Sequence, residues 1–292
     1  MKFSRLGLLL LATSFFYAAN AQVSLRYNLK KGDVFFVQQH VVQEIAQEID
    51  SLDQTITSDV KGILKFSVQK VFQDTYELQV IFTDFNIHLY SNLMGDLVHF
   101  EALAETDEDT MYKPLLKYPL LITLQKNGTI TEVKGCEELI EHMLQKASIE
   151  DEFTRELMRA ALENEFGAKA LSQSYEQMTY FYPDKDVKLN ESWLTYSSGN
   201  FKAENTWKLT GLNPQTAMMQ GYGKVNIHTH QNGVDMALNG EQKVWLKVNP
   251  YNGFLKELII EGTAKGHSKF DENGAFKIPT TIKSRITYNL IQ

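Results

Sequence analysis

Apolar and polar residues alternate with a period of two along most of this chain. Leu64, Phe66 and Val68 alternate with Lys65, Ser67 and Gln69, and Tyr76, Leu78, Val80 and Phe82 with Glu77, Gln79 and Ile81, the runs being joined by Gln73-Asp74-Thr75. Successive side chains on a strand point to opposite faces, so this pattern predicts neighbouring antiparallel strands with one buried face. Leu120, Ile122 and Leu124 face Ile130 and Val133 across Lys126-Asn127-Gly128, where Asn-Gly supplies the positive φ angles of a two-residue hairpin turn. Between Asp33 and Asp50, Val37, Val41, Ile45 and Ile49 are spaced by four and also suit a helix. The alternation of Phe35, Val37, Gln39 and Val41 and the β-branched content favour a strand.

From Gly135 to about Ser174 the period changes. Leu139, Ile140, Met143 and Leu144 recur at helical spacing, and Ser148 with Asp151 three residues on reads as a capping box for a second helix. That helix is expected to turn Phe153, Leu157, Ala161 and Leu162 inward and Glu152, Arg155, Arg159 and Glu163 outward. Alternation resumes near Val187 and continues through Phe201 to Leu212, Ala217 to His230, Val234 to Val248, Phe254 to Gly266 and Ile282 to Leu290, with a turn at Asp271-Glu272-Asn273-Gly274. About a dozen strands and two helices follow, well above the usual strand share. The fold class expected is mainly β (α+β): curved antiparallel sheets or a half-open barrel, with a mid-chain helical pair packed on the concave face. The organisation expected is a signal peptide over residues 1–21, a first β unit over 22–134, a helical segment over 135–175 and a second β unit over 176–292.

The first segment rests on its own pattern. Lys2 and Arg5 precede the apolar run Leu6 to Phe16, and Ala19-Asn20-Ala21 offers small residues before Gln22, the layout of a cleaved secretory signal. The run is too short for a membrane anchor, which needs roughly 17 to 25 apolar residues. Export to the periplasm or the extracellular space is expected, with no membrane span after cleavage. Formal net charge is −7 and becomes more negative once Lys2 and Arg5 are removed. Such a surface repels phosphate backbones, so nucleic acid is not an expected partner. Cys136 is the single cysteine, so no intramolecular disulfide is available and the fold must rest on core burial.

Chemistry-bearing motifs are sparse. His228-Thr229-His230 puts two imidazoles on one strand face, as a strand-built zinc site requires, although the sequence nominates no third ligand. The acidic cluster Glu105, Asp107, Glu108 and Asp109 lacks the glycine and distal Glu of an EF-hand. There is no G-x-S-x-G, no G-x-x-x-x-G-K-S/T, no H-E-x-x-H and no C-x-x-C, and Gly221-Tyr222-Gly223 sits inside a strand pattern, marking a bulge or a close backbone approach. What remains is 17 Phe, 13 Tyr and 9 Met, enough to line a concave sheet face with adaptable apolar groups.

Lys30-Lys31-Gly32-Asp33 before an aromatic strand, Tyr118 to Leu124 followed by Asn127-Gly128, and Tyr182-Pro183-Asp184-Lys185-Asp186-Val187 leading to Ser192-Trp193 resemble an uncharacterised family of exported Bacteroidota proteins, domain of unknown function 6263. The resemblance implies export and β-rich architecture and brings no activity with it. The order of strands, helices and strands is also similar in outline to periplasmic lipid carriers, a fold-level analogy. The function expected is therefore non-enzymatic: an envelope protein without a cofactor that binds an apolar or amphipathic small molecule or an envelope protein partner. The surface expected for it combines Phe82, Leu144, Phe153, Leu157, Met219 and Tyr222. The alternatives are a metal-dependent hydrolase using His228 and His230, and a structural or assembly factor of the cell envelope.

Overall fold

The computed structural model describes residues 22–49, 52–102, 110–231, 234–269 and 277–291. The segment expected to be a signal peptide, the acidic cluster at 105–109 and the turn expected at 271–274 lie outside the described residues. The first strands are β1 (Val34–Ile49), β2 (Leu52–Val71), β3 (Thr75–Ser91), β4 (Gly95–Glu101), β5 (Leu120–Gln125) and β6 (Ile130–Lys134). Helices α1 (Cys136–Ala147), α2 (Glu152–Phe166) and α3 (Ala168–Thr179) follow, then β7 (Ser192–Ser197), β8 (Phe201–Leu212), β9 (Ala217–Gln231), β10 (Val234–Val248), β11 (Leu255–Lys269) and β12 (Lys277–Ile291). All twelve strands join one antiparallel, unclosed sheet in the order β6-β5-β3-β2-β1-β12-β11-β10-β9-β8-β7, with β4 on the far half of β3. The first and last strands meet in its middle, Val41 opposite Ile286 and Ile45 opposite Ile282. The mainly β architecture expected from the alternation is the one found.

Strict alternation gives the sheet two chemically distinct faces. Inward positions such as Val37, Leu64, Phe66, Leu78, Val80, Leu246 and Leu258 are fully buried. Outward positions carry a lattice of ion pairs, including Lys283–Glu44 at 3.2 Å, Lys61–Asp59 at 3.0 Å and Arg285–Glu261. The same face also exposes apolar side chains, among them Val42, Leu194, Tyr196 and Trp245.

The inner face is filled at one end. Leu25, Tyr27 and Leu29 of the N-terminal segment, Phe181 and Tyr182 after α3, and Phe254 before β11 are all buried there, with the Phe35 and Phe254 rings stacked at 3.8 Å between centroids. Three of the buried aromatic polar atoms are tied to backbone: Tyr27 Oη donates to the Thr179 carbonyl at 3.2 Å, Tyr76 Oη to the Tyr27 carbonyl at 3.0 Å, and Trp193 Nε1 to the Phe181 carbonyl at 2.9 Å. These bonds fasten the chain crossings over the sheet and avoid the penalty of burying a bare polar group.

Three details differ from the sequence reading. The hairpin joining β5 to β6 has a three-residue loop: the Gly128 N–H donates to the Gln125 carbonyl, and of its central pair only Gly128, at φ 100°, is left-handed. A Cβ there would sit 1.8 Å from the Thr179 carbonyl oxygen, so glycine serves a close approach as well as a turn. Ser148 ends α1 in a left-handed conformation, and Asp151 caps α2 by accepting the Thr154 N–H at 2.7 Å, so the two do not form one box. The helical stretch contains three helices, because Gly167 breaks it between α2 and α3.

Phe153 and Leu157 are corrected by the same packing. They are 73% and 57% exposed, because α2 packs on α1 and α3 and only Leu162 of it is buried. The inward helices are α1, through Leu139, Ile140, Met143 and Leu144, and α3, through Leu171, Tyr175 and Met178. Helix α3 also covers the β6 edge, where Glu176 Oε1 accepts the Ile130 N–H at 2.9 Å and Ser172 Oγ donates to the Ile130 carbonyl at 3.2 Å, shielding it from strand addition.

Candidate functional site

Beyond the reach of the helices the inner face is hollow. A cavity of about 160 Å³ is lined by inward residues of six consecutive strands, Val41, Ile286, Ile260, Gln242, Val225 and Phe201, from β1 and β12 round to β8. Strands lie about 4.8 Å apart, so six of them can border one small hollow only because the sheet curls around it. The far end of this trough is closed by a second apolar cluster of Leu238, Ala264 and Ile282 with Ile45, Ile227 and Met236. Above that cluster, Gln47 Nε2 donates to Ser268 Oγ and Thr280 Oγ1, each at 3.1 Å, and those two hydroxyls bond each other at 2.8 Å. The near end is bounded by Gln177 of α3.

One row of inward positions crossing the trough is polar. Strand register aligns Gln43 with Ser284, Ser284 with Gly262, Gly262 with Gln242, Gln242 with Gly223, and Gly223 with Asn205. Gln242 Nε2 donates to Asn205 Oδ1 at 2.8 Å directly over Gly223, where a Cβ would meet that oxygen at 2.1 Å. Beside the amides lies a smaller hollow of about 30 Å³, walled by Glu176, Tyr180, Thr195 and Trp207 and sharing Gln177, Phe201, Gln242 and Ile260 with the first. Burial raises Glu176 above the ordinary carboxylate range, the Ile130 N–H opposing it, and burial also raises the Tyr180 phenol. The arrangement is that of an apolar slot with a few convergent polar groups, as in small-molecule sites generally.

The residues nominated from sequence are distributed otherwise. Leu144 and Met219, 2% and 1% exposed, belong to the filled core, and Phe82 packs against it. Tyr222 lies three residues from Met219 and therefore on the opposite face, 41% exposed, with its hydroxyl bonded to Glu241. These six residues do not share one surface. His228 and His230 do share a face, but it is the charged outer one: His230 Nδ1 lies 2.6 Å from Asp235 Oδ1, and His228 stands opposite Ala237. Among the described residues no group of three or more His, Cys, Asp or Glu side chains is placed to hold a metal ion. Cys136 is buried at the start of α1 and burial pushes its thiol up, away from the nucleophilic thiolate. The trough residues were missed because β-branched inward positions look alike whether they touch a neighbour or a hollow. The available signal was the run of glycines at inward positions, Gly221, Gly223, Gly240, Gly262 and Gly266.

A family profile described as a family of unknown function, DUF6263, matches residues 73–255, more than half of the chain. The protein belongs to the DUF6263 family. The match takes in β3 through the helices to the start of β11, and so includes the β8, β9, β10 and α3 parts of the trough wall but not those from β1 and β12. No curated protein matches this DUF6263 chain. Among solved structures, one of lipovitellin, concerned with its lipid–protein interactions, is similar with a TM-score of 0.51 at 10% identity, covering 91% of this chain and 26% of that one. The DUF6263 chain thus spans about a quarter of the length of lipovitellin, and at this identity the likeness is one of fold. DynF from the dynemicin pathway of Micromonospora chersina (TM-score 0.25, 6% identity, 93% and 86% of the two chains) and the translocator domain of the autotransporter NalP from Neisseria meningitidis (0.23, 6%, 97% and 95%) are far more distant in shape.

Proposed function

We propose that this DUF6263 protein is a non-enzymatic, exported envelope protein that holds an apolar or amphipathic small molecule in the trough. The observation that carries the reading is the hollow itself, an apolar slot of about 160 Å³ between a curled sheet and α3. Size limits what it takes. A cavity of about 150 Å³ lined by apolar side chains accommodates one benzene, so this trough takes a single ring or the end of one hydrocarbon chain, the remainder lying toward its mouth. The lipovitellin likeness supports a sheet of this kind serving as a wall around apolar groups. The Lys2 to Ala21 segment supports export, which N-terminal sequencing of protein recovered from intact cells tests directly.

The binding test is titration of the purified protein with the uncharged fluorophore N-phenyl-1-naphthylamine. Saturable binding at one site, competed by uncharged amphiphiles, is the result the reading requires. A linear, non-saturating signal ends it.

A further inference from the structure

The trough's lining also specifies the head of the molecule it takes, an inference that rests on the reading above. We propose that the ligand is a single-chain amphiphile with an uncharged, hydrogen-bonding head, of the hydroxyl or amide class, and that the head lies against Gln177, Asn205 and Gln242. Three observations lead there. None of the described residues lining either hollow is Lys or Arg. An anionic head entering would be stripped of water with no cation to receive it, at a cost of several kcal/mol per ion. Glu176 stands in the wall of the smaller hollow and offers no positive charge in either protonation state; the other acid on the border, Glu241, turns to the outer face and bonds Tyr222.

The amides supply the positive half of the argument. The Gln242–Asn205 bond uses one donor and one acceptor of the pair. Whichever way the two amides are turned, an NH₂ and a carbonyl oxygen remain over Gly223, and Gln177 brings a third amide from α3. Such a set matches a group that both donates and accepts, and a hydroxyl does both. The apolar part then runs from the amides into the larger hollow, along Ile260, Ile286 and Val41.

The experiment is competition against N-phenyl-1-naphthylamine by 1-monooctanoylglycerol and by octanoate, equal in chain length and differing in head charge, at about pH 8. The monoglyceride is expected to displace the fluorophore at a concentration at least tenfold lower. Equal or stronger displacement by octanoate overturns the proposal while leaving the trough reading intact, whereas failure of the fluorophore itself to bind removes the trough reading. Gln177→Arg, which puts a guanidinium at the head position, is expected to shift the preference at least tenfold toward octanoate. An unshifted preference in the folded variant, verified by circular dichroism, overturns the placement of the head; should that variant not fold, the wild-type competition decides alone.

Discussion

Val41→Phe isolates the trough from the rest of the molecule. Val41 lies mid-way along β1, its side chain facing the hollow and its backbone paired with Val60 and Ile286. Phe retains strand propensity there, so the ladder persists while the ring occupies the space proposed for the ligand. Empty volume is destabilising by about 24 cal/mol per Å³, which sets a ceiling of roughly 4 kcal/mol on what filling 160 Å³ returns. One ring fills part of a slot that is open at its mouth, and overpacking opposes it by about 1–3 kcal/mol, so the net change in stability is small, within about 2 kcal/mol either way. Binding responds differently, because loss of even 1.4 kcal/mol of apolar contact is tenfold in affinity. The assay pairs urea denaturation with N-phenyl-1-naphthylamine titration for Val41→Phe and for Val42→Phe, which places the same ring on the outer face where Val42 is 40% exposed. Affinity is expected to fall at least tenfold in Val41→Phe and to hold in Val42→Phe. Undiminished binding by a folded Val41→Phe protein refutes the trough as the site.

Burial holds the Glu176 proton to a higher pH in the folded chain than in the unfolded one. The stability this group supplies is therefore full below its ordinary value of 4.5 and is lost as pH rises through the raised folded value. Glu176→Gln, which keeps an acceptor for the Ile130 N–H, is expected to be the more stable protein at about pH 7, with the difference vanishing in acid, as read from urea midpoints across a pH series. Gly128→Ala forces a methyl group onto the Thr179 carbonyl at positive φ and is expected to cost at least about 2 kcal/mol in the same assay. Phe153→Ser and Leu157→Ser, on the solvent side of α2, are each expected to change stability by no more than about 0.5 kcal/mol and to leave fluorophore binding unaltered. A loss of several kcal/mol from either would mean that α2 docks on something its exposure does not show.

Strand content and the local pairings of β2 with β3 and of β5 with β6 were legible because one period dominates the chain, whereas the pairing of β1 with β12 was not. From Phe201 to Val248 the expected strands fall within a residue or two of those found, and β1 is a strand as its alternation implies. The helices were less legible: apolar Phe153 and Leu157 resemble a buried stripe until Gly167 is recognised as a break that lets α3 turn in under the sheet and leaves α2 outside. The site was legible least. Periodicity states which face a residue takes and is silent on whether that face meets a partner, so Met219 and Val225, both inward on β9, read alike although one is core and the other borders the hollow. The polar row was hidden for a related reason, since Gln43, Asn205, Gln242 and Ser284 come together only through the register of six strands.

The inward glycines connect sequence to cavity. Gly in a strand interior costs about 0.5–1 kcal/mol relative to Ala and contributes no packing, so five of them on one face are unfavourable unless the curl they allow has a use. At Gly240 a Cβ would lie 2.1 Å from the Thr263 carbonyl oxygen, and at Gly266 the same distance from that of Ala237, so neighbouring backbones close in where the sheet bends. Gly223 and Gly262 yield their space to the amide and hydroxyl row. A chain selected for stability alone would flatten this region and fill it with Val and Ile, as it does across Val37, Leu64 and Leu258 at the packed end. Local rules broken together at one place mark sites where function opposes stability. Here Gly223 and Gly262 break them in the polar row that crosses the trough, which is where the small molecule proposed above, in place of side chains, would complete the core.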